Sequence, residues 1–365
     1  MPPSVPTPDP LSTLVDELLM LLSESAEFHR EAEVKAVFRE AIGIAIVVRR
    51  RLELSRERFV VGIVGQTNVG KSTLMEALLG KEIVPRRNGP CTAAPVEFSW
   101  ASEFRIQAEY IPSFQRRSWN GMDASEIRQL LGQLVDESQN ETIGQADWPS
   151  RVRVQLPLPL LETGLVIADT PGFGAAQVDI QRAGTHDEVL QTYLQNEVSQ
   201  VFWVVLGEQG ILKRERDFYE QFLSQICDDL VVTGCDDWSQ QDQQRFRSRF
   251  SSQLGFRVPR FHFVSGLQGT LARSNQDAQQ LEAAGIAQLE NRIRSLADPQ
   301  CRQQVLKDSL LQLAENLGEW LFNFRDVRRR TLDLWWRPDS WLRWLDLRDQ
   351  TLTAALNQSL TQRFP

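Results

Sequence analysis

The spacing of hydrophobic positions changes twice along this chain. From Leu11 to about Ser55 apolar residues recur at helical spacing, first Leu14, Leu18, Leu19 and Leu22, then Val34, Val37, Phe38 and Ile42. Two helices are expected there. From Arg58 to about Ser295 the pattern becomes short β-branched runs alternating with helical stretches. Runs of that kind suit strands covered on both faces, in a mostly parallel α/β sheet. The predicted strands are Phe59–Val64, Val96–Trp100, Phe104–Tyr110, Val152–Gln155, Gly164–Ala168, Gln200–Leu206, Asp229–Thr233 and Arg260–Ser265. Beyond about Gly285 the helical period returns, with Leu310, Leu313, Leu317, Trp320 or Leu321, and Phe324 on one stripe. The expected organisation is a disordered Pro-rich lead at 1–10, a helical arm at 11–57, a three-layer α/β domain at 58–295 and a helical segment at 296–365.

Between the first predicted strand and the helix Thr73–Leu79 lies Gly65-Gln66-Thr67-Asn68-Val69-Gly70-Lys71-Ser72, a G-x-x-x-x-G-K-S phosphate loop with every fixed position present. Gly80 is the expected C-terminal cap of that helix. Backbone N–H groups of the turn, together with the positive end of the helix from Thr73, cradle a polyphosphate. Lys71 is expected to reach the β- and γ-phosphates, and the Ser72 hydroxyl to ligate Mg²⁺. The strand Gly164–Ala168 runs into Asp169-Thr170-Pro171-Gly172. Asp169 is placed to hold Mg²⁺ through its water shell, and the Gly172 N–H to meet the γ-phosphate. Thr92 follows Ser72 in Gly89-Pro90-Cys91-Thr92-Ala93-Ala94-Pro95. From a loop that orders on triphosphate binding, it would bring a hydroxyl and a backbone N–H to the metal and the γ-phosphate.

Composition narrows the partners. Of the 365 residues, 42% are hydrophobic and 24% charged, in the range of a soluble globular protein. A net charge of −8 argues against a general nucleic-acid binder, and no specific nucleic acid is expected. Cys91, Cys227, Cys235 and Cys301 are widely spaced without a C-x-x-C pair, which reads as free thiols in a reducing compartment. No secretory signal is apparent, and the longest apolar run, Ala41–Val48, is too short to span a bilayer. A cytoplasmic protein, or one peripheral to a membrane, is expected.

These motifs resemble the dynamin-like large GTPases, particularly the bacterial ones. The resemblance is carried by Arg58–Gln66, by Ala77-Leu78-Leu79-Gly80-Lys81-Glu82-Ile83-Val84-Pro85 leading to Thr92, and by Leu158–Gly172. Val201-Phe202-Trp203-Val204-Val205-Leu206-Gly207-Glu208-Gln209-Gly210 continues it, as does the long segment between Thr92 and Asp169. It implies a P-loop NTPase domain whose flanking helices form a neck. It further implies binding and hydrolysis of GTP with Mg²⁺, and a homodimer through GTPase domains or a paired dynamin-like chain. Peripheral membrane contact is a further implication. About seventy residues follow the domain, too few for a neck plus a long stalk.

Phe173 stands where Ras-type enzymes carry the glutamine that orients the attacking water. Asn68 matches the phosphate-loop asparagine that in cation-dependent GTPases helps hold K⁺ between two facing domains. The resemblance therefore implies slow basal hydrolysis that accelerates on dimerisation in K⁺. The guanine-reading motif N/T-K-x-D corresponds to Thr233-Gly234-Cys235-Asp236, with glycine in place of lysine. Asp237 competes with Asp236 if the register slips by one. Ser265 and Gly266 fit the loop whose backbone N–H meets guanine O6. Guanine is the expected base, with a phosphate-loop ATPase or a weak, inactive binder as the alternatives, and a soluble nucleotide switch for a protein or RNA partner is the alternative to action on membranes. The tail Leu332–Leu345 places Trp335, Trp336, Trp341 and Trp344 among arginines. It suits either packing of a short helix on the neck or a bilayer interface.

Overall fold

The computed structural model describes residues 10–28, 32–85, 94–110, 115–135, 149–173, 186–224, 226–254, 260–298 and 300–302. Thr92, Cys91, the stripe Leu310–Phe324 and the tryptophan-rich tail lie outside the described residues. The chain divides into two compact units, residues 1–53 with 299–365, and residues 54–298.

In the first unit, α1 (Pro10–Phe28) and α2 (Ala32–Glu57) follow the two predicted helical runs. α1 buries Val15, Leu18 and Leu22, and α2 buries Phe38, Ala41, Ala45, Val48 and Leu52. The alternating three- and four-residue steps give each helix one continuous apolar stripe. Arg49 Nε meets Asp16 Oδ1 at 2.7 Å and links the helices at their half-exposed rim. α2 runs past residue 53, so the junction between the units falls inside it.

The second unit is built on one nine-stranded sheet. Its strands are β1 (Phe59–Gly65), β2 (Val96–Trp100), β3 (Arg105–Tyr110), β4 (Arg116–Asn120), β5 (Pro149–Leu156), β6 (Leu165–Asp169), β7 (Gln200–Leu206), β8 (Cys227–Thr233) and β9 (Arg260–Phe263). The spatial order is β4-β3-β5-β2-β6-β1-β7-β8-β9. Five of the eight pairings are parallel; β2 with β6, β3 with β4 and β3 with β5 are antiparallel. Among the described residues the helices of this unit are α3 (Lys71–Leu79), α4 (Ala124–Val135), α5 (His186–Asn196), α6 (Lys213–Phe218), α7 (Gln240–Leu254), α8 (Gly266–Ser274), α9 (Ala278–Ala283) and α10 (Ile286–Ser295). α6 continues as a π-helical turn, Tyr219–Leu223.

All eight predicted strands are present within a few residues of their expected ends. β4 is the addition. Its sequence, Arg-Arg-Ser-Trp-Asn, is almost wholly exposed, so it carries no hydrophobic alternation that could mark it. Both neighbouring positions along β1 are buried, with Val60, Val61, Ile63 and Val64 at 0% exposure, because layers cover both faces of the sheet. β1 is flanked by β6 and β7, which brings the loops after all three strands to one end. Ligands in open α/β sheets bind at this carboxyl end.

Candidate nucleotide-binding site

The phosphate loop leaves β1 at Gly65 and enters α3 at Lys71, so Lys71 and Ser72 form the first turn of the helix. Two residues take left-handed backbone, Asn68 at φ 66° and Gly70 at φ 86°. Asparagine is among the non-glycine residues that tolerate this best, so the motif and the loop shape agree. A Cβ at Gly65 would sit 2.4 Å from the Val204 carbonyl oxygen, which only glycine permits. Lys71 is buried, and its Nζ donates to the Gly65 carbonyl at 3.0 Å and the Gln66 carbonyl at 2.7 Å. These bonds hold a desolvated cation against the loop that would receive phosphates.

The end of β6 faces this loop. The register Ile63↔Asp169 sets Asp169 beside the last residues of β1, and Thr170 Oγ1 donates to the Ile63 carbonyl at 2.8 Å. Asp169 is buried, and its Oδ1 has no hydrogen-bond partner. Burial pushes the carboxyl up to about 6, opposed by the Lys71 ammonium and the Thr170 amide. A desolvated carboxylate oxygen without a partner is costly, by about 1–3 kcal/mol. It is also a suitable ligand, direct or through water, for a hard cation. With the Ser72 hydroxyl in the adjacent helical turn, the donor set is the sparse, all-oxygen kind that suits Mg²⁺.

Gly172 presses directly on the phosphate loop. A Cβ there would lie 2.7 Å from Thr67 Oγ1 and 2.9 Å from Thr67 N. The Thr67 hydroxyl is itself buried without a hydrogen-bond partner. Phe173 forms a parallel bridge with Gln66, and its ring is 1% exposed. The ring stacks on Phe218 of α6, with centroids 4.1 Å apart and planes 6° apart. A side chain packed in this way takes no part in orienting water.

The residues expected to meet the base stand at the end of β8 and the start of α8. Thr233, at the end of β8, donates to the Val69 carbonyl at 2.6 Å and the Val205 carbonyl at 3.2 Å, tying this strand to the phosphate loop. Gly234 takes left-handed backbone at φ 62°. Cys235 is buried with its thiol donating to the Val232 carbonyl at 3.3 Å, and burial pushes that thiol up to about 11. Asp236 is exposed, and Ser265 Oγ donates to its Oδ1; Asp237 is exposed beside it. Ser265 also caps α8, accepting from the Gln268 amide at 3.2 Å. Gly266 packs on α3, where its Cβ would meet the Thr73 methyl at 3.1 Å and the Leu74 amide nitrogen at 3.2 Å. Thr73 therefore touches the base-side loop, although the motif alone puts it with the phosphates.

Residues 61–232 match the model of the Dynamin family. This domain of the chain resembles the dynamin family. Dynamin-like protein 2 of Campylobacter jejuni is 22% identical over 262 residues, covering 71% of this chain and 38% of that protein. Bacterial dynamin-like protein of Nostoc punctiforme is 22% identical over 169 residues, covering 44% of this chain and 22% of that protein. The alignments therefore span well under half the length of these curated relatives. A solved structure of an oligomerised bacterial dynamin pair, described as a mechanism for long-range sensing and tethering of membranes, matches in fold. Its TM-score is 0.51 at 16% identity, over 96% of this chain and 51% of that one. Among the described residues no helix is long and apolar enough to cross a membrane.

Proposed function

We propose that this chain binds GTP with Mg²⁺ and hydrolyses it slowly to GDP and phosphate. The observation that carries the reading is the buried Asp169 carboxylate, partnerless at Oδ1, beside a phosphate loop whose lysine is already desolvated. Phosphoryl transfer requires positioning and charge stabilisation more than covalent chemistry from the protein. The loop amides and Lys71 neutralise the β- and γ-phosphates, Ser72 and Asp169 hold the cation, and the Gly172 N–H meets the γ-phosphate. Held by Ser72 and Asp169, Mg²⁺ would supply positive charge against the negative charge that develops on the phosphates. Thr92 would complete the shell from its loop. Asp236, held by Ser265, accepts from the guanine N1 and N2 donors, while adenine offers no such pair.

Because Phe173 is committed to the core, basal turnover is slow and stimulation comes from outside the chain. A second GTPase domain facing this one, with K⁺ beside the exposed Asn68, is the source we propose. The arm at residues 11–57, with residues 296–365, is the proposed neck, whose movement would follow the nucleotide. Pairing with a like or related chain and contact with a membrane surface are the corresponding roles, supported by the dynamin-pair fold. Phosphate release from GTP by wild type, absent in Lys71→Ala, tests the catalytic reading; equal release by both would refute it. Turnover that rises with protein concentration in K⁺ but not in Na⁺ tests the pairing, and identical specific activity under both conditions would exclude it.

A further inference from the structure

A large polar cluster among the described residues lies away from the phosphate loop and is centred on Glu97 of β2, which is 0% exposed. Both terminal nitrogens of the Arg58 guanidinium donate to it, Nη1 to Oε1 at 3.3 Å and Nη2 to Oε2. Arg153 Nε of β5 donates to Oε2 at 3.1 Å, and the Tyr193 hydroxyl of α5 donates to Oε1 at 2.9 Å. Arg151 Nη1 lies 3.5 Å from Oε1 while the same guanidinium bonds Glu197, just after α5, at 2.8 and 3.1 Å. Arg153 Nη1 reaches Glu109 of β3 at 2.7 Å. Arg58, Arg151 and Arg153 thus face Glu97, Glu109 and Glu197, and Arg116 of β4 meets Glu109 from the exposed edge at 3.2 Å. Burial alone would raise the Glu97 carboxyl, and Arg58, Arg151 and Tyr193 outweigh it and hold it below the usual carboxylate range.

Buried ion pairs of this sort gain little net stability over an apolar replacement, so their presence calls for another reason. The connections supply one. The register Val96↔Asp169 and Glu97↔Ala168 pairs β2 with the end of β6, where Asp169 stands, on the side opposite β1. β2 begins four residues after Thr92, and α5 is the first described element after Phe173. On the other side, Arg58 directly follows α2, in which the junction between the two compact units falls. The Glu97 carboxylate therefore joins β2, which pairs with the end of β6 at Asp169, and Tyr193 of α5 to Arg58, the residue directly after α2.

We propose that the Glu97 cluster transmits the state of the nucleotide site to the carboxyl end of α2 through Arg58. The proposal rests on the nucleotide reading above. Hydrogen exchange of the full chain, with GDP and with a non-hydrolysable GTP analogue plus Mg²⁺, tests it. Wild type should show an analogue-dependent change in protection at residues 94–100, at 186–196 and also at 54–58. In Arg58→Met, Arg151 and Arg153 still neutralise Glu97, so the change at 94–100 and 186–196 persists and that at 54–58 is lost. Tyr193→Phe removes one hydrogen bond and no charge; it should reduce the change at 54–58 and serves if Arg58→Met does not fold. An unaltered response at 54–58 in both variants, or no response there in wild type while 94–100 responds, overturns the proposal. Absence of any nucleotide effect at 65–72 instead contradicts the nucleotide reading itself.

Discussion

The phosphate side and the base side of this site are built by different means. On the phosphate side nearly everything is local: a strand, a turn with two left-handed residues, and a helix, within Phe59–Leu79. On the base side the parts come from three distant stretches, with Thr233 bonded to Val69 across 164 residues and Ser265 to Asp236 across 29. The first is specified by backbone conformation, so its motif tolerates little change. The second is specified by side chains that other contacts hold in place, so one of them can be replaced without loss of the fold. The glycine at position 234 shows this, because Thr233 and Asp236 keep their anchors on either side of it.

If that contrast is right, the largest effect belongs to the phosphate side. Lys71→Ala should weaken binding of any nucleoside diphosphate by at least about 100-fold, roughly 2.7 kcal/mol, measured by titration calorimetry. The loss should be the same for GDP and ADP, since the lysine does not touch the base. Asp236→Ala should act on one base only. GDP binding should fall by about 1.5–3 kcal/mol, the range for a hydrogen bond to a charged group, and ADP binding should be unchanged. An equal loss for both nucleotides would mean that Asp236 supports the fold and does not read guanine.

Asp169 makes the contrast sensitive to pH. Its carboxyl lies at about 6 against an ordinary 3.8, so between these values the folded chain holds a proton that the unfolded chain has released. The stability this contributes is complete below about pH 4 and fades as pH rises through 6. Asp169→Asn should therefore stabilise the nucleotide-free protein at pH 7.5 by about 1–3 kcal/mol and have little effect near pH 4, read by thermal denaturation. The same variant should lose Mg²⁺-dependent tightening of GTP. In wild type that tightening should weaken as pH falls below about 6, where Asp169 is protonated. The smallest effect is expected from Thr233→Val, which removes the tie between the two sides. A cost of about 1 kcal/mol in stability, with GDP affinity reduced less than in Asp236→Ala, would show that the base side is held to the loop by this hydroxyl.

The same division explains what the sequence reveals. Strand order aside, the sheet was legible because strands such as Phe59–Val64 and Gln200–Leu206 are apolar on both faces. β4 was not, because Arg116–Asn120 lies at an exposed edge with no apolar period. The phosphate loop could be located to the residue, except that its helix starts at Lys71 and not Thr73. That Phe173 packs on Phe218 could not be read, since the partners are 45 positions apart in a region of many aromatics. Nor could the Arg58–Glu97 pairing, because a lone buried glutamate in Val96–Trp100 resembles an ordinary outward-facing strand residue.

The central claim is that the site reads guanine from a phosphate cradle that grips any diphosphate. Calorimetric titration of the full wild-type chain with GDP and with ADP, in Mg²⁺, tests it most directly. GDP should bind more tightly than ADP, with the difference abolished in Asp236→Ala. ADP binding as tightly as GDP, or a preference that survives in Asp236→Ala, would contradict the account.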